Sequence, residues 1–223
     1  SFVPIYDAEG NLTHSEKINS AFSDHGPLGT MHTVKNLTGL KLNHVAIIDW
    51  DGFKDLSSAV GGVPVTIPET FYDPSQKITW EAGDHLLEGN EALAYVRTRY
   101  GLIGGDFDRI KRQQNFMRSL VGKMLASDAS SNPVKLNRMV KAITKNLTVD
   151  EAWSTTSIVK LGLSLKGIDM ENVVFMTAPV AGTETIPVWG SIVRLDEAQS
   201  TELFTALKDG TMDQYLSNHP DAA

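Results

Sequence analysis

Between His44 and Ile67 a strand-length apolar run, a short helix and a second strand-length run follow one another, and this order constrains the fold more than any other feature. His44-Val45-Ala46-Ile47-Ile48-Asp49 is compact and apolar, and Asp49 or Asp51 can accept the unpaired N–H groups that open a helix. Gly61-Gly62 closes that helix, and residues 63–67 resume strand composition. Strand, helix, Gly-Gly, strand reads as a βαβ unit, which favours a sheet covered by helices over an all-α or all-β fold.

The flanking segments fit an α/β class. A polar, turn-rich stretch at 7–11 precedes helical spacing at Leu28, Met31, Val34 and Leu37, with Gly39 as C-terminal cap. Residues 71–83 read as a loop or hairpin. Residues 90–96 read as a short helix with Leu93 and Val96 inward, and 107–126 as a longer one. Two more amphipathic helices are expected at 133–145 and 149–165, strands at 173–176 and 188–193, and a last helix from Asp196 to about Leu207. The chain has 223 residues, 41% of them apolar, and no linker or repeat divides it. One domain over 1–208 is expected, with a frayed polar tail at 209–223.

A formal net charge of -7 disfavours a nucleic-acid partner, because a phosphate backbone is held mainly by surplus Lys and Arg. The absence of cysteine excludes disulfides, thiolate metal sites and cysteine nucleophiles. His14, His25, His32, His44 and His85 show no metal-ligand spacing, and Ser57-Ser58 and Ser191 lack a nucleophile-elbow pattern. With no long apolar run and no signal-like start at Ser1-Phe2-Val3-Pro4, the chain as it stands reads as soluble.

One segment departs from this acidic background. Arg97, Arg99, Arg109, Lys111, Arg112, Arg118 and Lys123 are seven bases against two acids, Asp106 and Asp108. On a helix Arg97 and Arg99 would diverge, whereas in an extended exit, which Gly101, Gly104 and Gly105 favour, they point the same way. Arg109, Arg112 and Gln113 share one face of the following helix near its N-terminus, where the dipole attracts an anion. Arginine suits bidentate contact with phosphate, and several converging charges suit a pyrophosphate. Phe116 and Leu120 continue that face, a layout that suits an amphipathic lipid phosphate. An ordinary solvated face carries arginines too, Phe116 and Leu120 serve equally as core, and Asp106 serves equally as a helix cap or as a proton acceptor.

The motifs then take a recognisable order. Lys17-Ile18-Asn19-Ser20-Ala21-Phe22, Leu37-Thr38-Gly39, Asp49-Trp50-Asp51-Gly52-Phe53 and Val60-Gly61-Gly62-Val63 are followed by Gly83-Asp84-His85-Leu86-Leu87-Glu88-Gly89-Asn90-Glu91-Ala92-Leu93-Ala94-Tyr95-Val96-Arg97-Thr98-Arg99 and Gly105-Asp106-Phe107-Asp108-Arg109-Ile110-Lys111-Arg112-Gln113-Gln114. Over about half the chain this resembles the LytR-CpsA-Psr family of cell-wall ligases. The resemblance implies a three-layer α/β/α fold with a central mixed sheet flanked by helices. It also implies a phosphotransferase that moves a glycopolymer (teichoic acid, capsular polysaccharide or arabinogalactan) from a polyprenyl pyrophosphate carrier to peptidoglycan. By the same likeness Arg97, Arg99, Arg109 and Gln113 bind the pyrophosphate, Arg112 and Lys17 join the lipid pyrophosphate-binding set, and Asp106 lies close to the reacting centre.

The likeness further implies a magnesium ion and a location at the extracytoplasmic face of the cell membrane. The magnesium aspartates, two further arginines and the membrane anchor are expected upstream of the residue matching Ser1. Two other readings keep the same residues: a pyrophosphatase acting on the same lipid carrier with water as acceptor, and a non-catalytic lipid pyrophosphate-binding module. A regulator of transcription is the weakest reading, given the net charge and the lack of a helix-turn-helix signal.

Overall fold

The computed structural model describes residues 1–99, 106–126, 145, 147–165 and 168–222. The helix expected at 133–145 therefore lies outside the described residues, apart from Lys145, as do Gly101, Gly104 and Gly105. The chain divides into two compact units, Ser1–Val45 with Met176–Ala223, and Ala46–Phe175.

In the first unit β1 (Phe2–Tyr6) and β2 (Leu12–Lys17) pair antiparallel around a turn built on Asp7, whose carboxylate accepts from the Asn11 N–H at 2.7 Å. Helix α1 (Ser20–Thr38) kinks at Gly26 and ends on Gly39, which adopts φ 67° and donates to Lys35 O at 2.8 Å. Its buried face differs from the apolar spacing: Leu28 is exposed, whereas Ser20, Ala21, Gly29 and Thr33 are buried. Close approach decides this. A Cβ on Gly29 would stand 2.9 Å from Tyr6 O, and Thr33 Oγ1 accepts from Tyr6 N at 3.0 Å, so the helix offers small residues to the strand.

The same unit contains β9 (Val180–Ile186) paired antiparallel with β10 (Gly190–Leu195), then α6 (Glu197–Asp209), capped by Asp196 accepting from Gln199 N at 2.9 Å. Strand β9 was not anticipated, and the strand expected at 188–193 begins two residues later because Val188 sits exposed in the turn. The segment expected to fray after Asp209 instead forms α7 (Met212–Asn218). Its Tyr215 is buried against Leu203 and Ala206 of α6, so burial of one ring holds a polar segment in place.

In the second unit β3 (Ala46–Ile48), α2 (Trp50–Ala59) and β4 (Val63–Ile67) follow in the expected order. The strands do not pair with each other. β3 pairs antiparallel with β8 (Leu147–Val149), and β4 with β7 (Gly83–Leu87), so the βαβ expectation is corrected to a strand–helix–strand whose strands find distant partners. β8 also replaces the start of the helix expected at 149–165, which begins only at Thr155 as α5 (Thr155–Ser164). Residues 173–176 are not a strand but follow a 3-10 turn, Met170–Asn172.

Strand β4 alternates in burial, with Val63, Val65 and Ile67 inward and Pro64 and Thr66 outward. Across it lie β5 (Phe71–Asp73) and β6 (Ile78–Trp80), which form a hairpin where the sequence allowed a loop or a hairpin, then α3 (Gly89–Arg97) and α4 (Asp106–Ala126). Phe71, Trp80, Leu87, Tyr95, Val96, Phe116 and Leu120 complete this core. Among the described residues all strand pairing is antiparallel, in two-stranded ladders. Helices and strands share both cores, and the fold class is α/β. Among the described residues no helix is long and apolar enough to cross a membrane.

Candidate functional site

Helix α3 stops because Thr98 leaves the helix with φ -56° and ψ 126°, an extended conformation. Extension puts alternate side chains on opposite sides, and burial follows it: Arg97 exposed, Thr98 fully buried, Arg99 exposed. The two arginines therefore flank one buried anchor and both face outward. The Arg97 guanidinium lies 5.2 Å from the ring centre of Trp50, the first residue of α2, which is 61% exposed. Asp49 caps that helix by accepting from Gly52 N at 2.7 Å, which aims Trp50 at the site.

Helix α4 reaches the same place from its first turns. Gln113 Nε2 donates to Val96 O at 3.0 Å and Arg112 Nη2 to Thr98 O at 2.5 Å, so carbonyls on either side of Arg97 are held. Arg112 is only 6% exposed, and its guanidinium stands 5.6 Å from the centre of the Phe71 ring. Burial pulls its pKa down, opposed by attraction to Tyr95, Asp108 and Asp73. Arg109 is partly buried, one turn before it. The side chain of Asp106, at the start of α4, lies outside the described residues.

Two members of the basic segment, Lys123 and Arg118, have structural uses. Lys123 Nζ donates to Gly61 O and Gly62 O, both at 2.6 Å, which ties α4 to the Gly-Gly turn. Arg118 lies over Phe175 at 5.3 Å, and Lys111 is exposed on the outer face of α4. Phe116 and Leu120 pack with β4 and α3 in the core, with Phe53 5.4 Å from Phe116 between ring centres, so the core reading of that apolar face holds. Ser57 is buried, its Oγ accepting from Gly89 N at 2.8 Å. Lys17 ends β2 in the first unit.

A cavity of about 410 Å³ opens beside the first turn of α3, lined by Trp80, Glu81, His85, Asn90 and Glu91 among others. Glu81 and Glu91 make this cavity unfavourable for a phosphate, and Arg97 stands at the opposite end of α3.

The family described as LytR_cpsA_psr matches residues 1–209. This chain belongs to the LytR_cpsA_psr family. It is 34% identical to the cell wall biosynthesis protein LcpA of Corynebacterium glutamicum, over 96% of this chain and 42% of that protein. It is 33% identical to TagV of Bacillus subtilis, a polyisoprenyl-teichoic acid–peptidoglycan teichoic acid transferase, over 72% of this chain and 45% of that one. The chain thus spans less than half the length of these curated relatives. Against the crystal structure of B. subtilis TagV it superposes with a TM-score of 0.78 at 25% identity, covering 94% of this chain and 80% of that one.

In this LytR_cpsA_psr chain the magnesium expectation can be tested against the donors present. Among the described residues the group able to hold a metal is His14, Glu16 and Asp24, brought within 4.8 Å of one another by the β1–β2 hairpin and α1. The histidine spacing gave no hint of it, since the two other donors are carboxylates, Glu16 two residues along β2 and Asp24 on α1. An imidazole nitrogen is a poor magnesium donor, so this cluster does not fit that ion. Reading the sequence also missed Trp50, which lies beneath Arg97. Trp50 lay in a quoted motif without a role, and only an exposed aromatic beside a capping aspartate could have singled it out.

Proposed function

We propose that this chain is the headgroup-binding part of a phosphotransferase that moves a wall glycopolymer from a polyprenyl pyrophosphate carrier to peptidoglycan. The observation that carries the reading is the outward-facing pair Arg97 and Arg99 on a rigid, buried anchor, next to the α4 N-terminal turns with Arg109 and Gln113. Two guanidinium groups fixed in this way present paired donors to the oxygens of a diphosphate. The names of TagV and LcpA support the same class of substrate and acceptor.

In the reaction a peptidoglycan hydroxyl oxygen attacks the phosphorus bearing the glycopolymer. The new O–P bond forms as the bridging P–O–P bond breaks, the hydroxyl proton passes to a base, and the polyprenyl phosphate departs with the bridging oxygen. Charge grows on that departing phosphate, and preorganised arginines stabilise it more in the transition state than in the ground state. Asp106 is the proposed residue nearest the proton transfer. The proposed magnesium ion would be held by residues other than those described, and no step here is routed through it. Because peptidoglycan is the acceptor, the proposed location is the extracytoplasmic face of the membrane.

The test uses a labelled lipid-linked glycopolymer. Label transferred to peptidoglycan supports the reading, label released by water supports a pyrophosphatase, and binding without turnover supports a lipid-binding module. Arg97→Ala and Arg99→Ala should each weaken polyprenyl pyrophosphate binding by roughly ten- to a hundredfold, since a charged contact contributes about 1.5–3 kcal/mol. Unchanged affinity in both variants would overturn the assignment of the site.

A further inference from the structure

We propose that Gln76 and Arg112 are positioning residues that set the Arg97/Arg99 pair by holding Thr98 from two sides. The inference rests on the reading of that pair as the headgroup site. Thr98 is fully buried between the two exposed arginines, and two different elements converge on it. From the turn between β5 and β6, Gln76 Nε2 reaches Thr98 Oγ1 at 2.9 Å and Ala94 O at 3.0 Å. From α4, Arg112 Nη2 reaches Thr98 O at 2.5 Å. The hydroxyl and the carbonyl of one residue are thus each held by a long polar side chain.

The amide of Gln76 can have only one orientation. Its nitrogen also faces Asp73 Oδ2 at 3.0 Å, and a carboxylate and a backbone carbonyl can only accept, so the NH2 must lie on this side, with its two N–H groups serving Asp73 and, shared between them, Ala94 O and Thr98 Oγ1. Thr98 Oγ1 in turn donates to Ala94 O at 3.1 Å and accepts from Gln76. Asp73, itself buried, orients Gln76, which orients Thr98.

Fold stability alone does not account for Arg112. Its Nε and Nη1 are buried with no hydrogen-bond partner among the described residues, and a buried guanidinium with two unsatisfied donors is a worse stabiliser than an apolar side chain of the same volume. What the guanidinium provides is direction: it fixes the peptide between Arg97 and Arg99 while leaving both side chains exposed. Paired contacts to phosphate oxygens tolerate displacements of only about 0.5 Å, so loosening Thr98 would misplace both arginines together.

The experiment is calorimetric binding of farnesyl pyrophosphate to the intact protein, at a temperature well below the melting point of every variant. Thr98→Val and Arg112→Met should each weaken binding by about three- to tenfold, and Arg112→Lys should recover part of the loss. In an Arg99→Ala background the effect of Thr98→Val should shrink, because part of what it misplaces is already gone. A lower melting point with wild-type affinity would mean that Thr98 and Arg112 serve stability only, and would overturn the proposal. So would a Thr98→Val or Arg112→Met loss that is fully additive with Arg99→Ala, the signature of independent contact with the ligand. If Arg97→Ala and Arg99→Ala themselves bind as wild type, the headgroup reading fails, and this proposal with it.

Discussion

Asp73 is fully buried, and burial pushes its carboxyl pKa up, yet hydrogen bonds from Gln76 and Ser75 outweigh that and hold it below the ordinary aspartate value. A depressed folded-state pKa contributes stability that is present above the unfolded value, near pH 4, and is lost as pH falls through the folded one. Asp73→Asn should therefore lower stability at neutral pH, and its deficit against wild type should narrow below about pH 4 in urea melts run across pH. A deficit independent of pH would show that the charge of Asp73 is not what matters. Trp50 offers a second residue-scale test. Because Arg97 lies over an exposed ring, Trp50→Ala should cost about 0.5–1 kcal/mol in lipid pyrophosphate affinity, roughly a two- to fivefold rise in Kd by titration.

The turn joining α2 to β4 shows how an element is placed by two glycines and one distant lysine. Gly61 and Gly62 both adopt φ 77°, and a Cβ on Gly62 would stand 2.7 Å from Leu86 Cγ. Gly62→Ala should thus destabilise by roughly 1–3 kcal/mol, through a left-handed backbone and crowding on β7. Lys123 holds the carbonyls of the same turn from the last turn of α4, and Lys123→Met should cost about 1.5–3 kcal/mol. Both would be read as a lower urea midpoint with an unchanged slope. This element explains why only part of the basic segment belongs to the proposed binding surface. Lys123 and Arg112 look like the other bases in sequence, but backbone carbonyls more than ten residues away in the chain occupy them.

At the scale of the whole molecule, net charge -7 coexists with an exposed arginine pair, so the proposed anion binding is local and should fall with added salt. Farnesyl pyrophosphate at about a hundredfold excess over its Kd should add roughly 2.7 kcal/mol, raising the melting temperature by about 5–10 °C, and Arg97→Ala should abolish most of that rise. A differential scan of the two proteins, with and without ligand, checks it. The sequence alone was enough for the α/β class, the cap at Gly39, the last helix starting at Asp196 and the arginine motif, because each depends on local backbone chemistry or on a specific run of residues, while 71–83 stood open between loop and hairpin and the α2 cap between Asp49 and Asp51. Pairing depended on more. Which strands meet, and why α1 buries Gly29 and Thr33 rather than Leu28, are set by contacts between segments far apart in the chain. The division of labour among the bases was decided in the same way, since burial of Thr98 turns Arg112 inward and leaves Arg97 and Arg99 facing water, a distinction of environment that identical side-chain chemistry cannot announce.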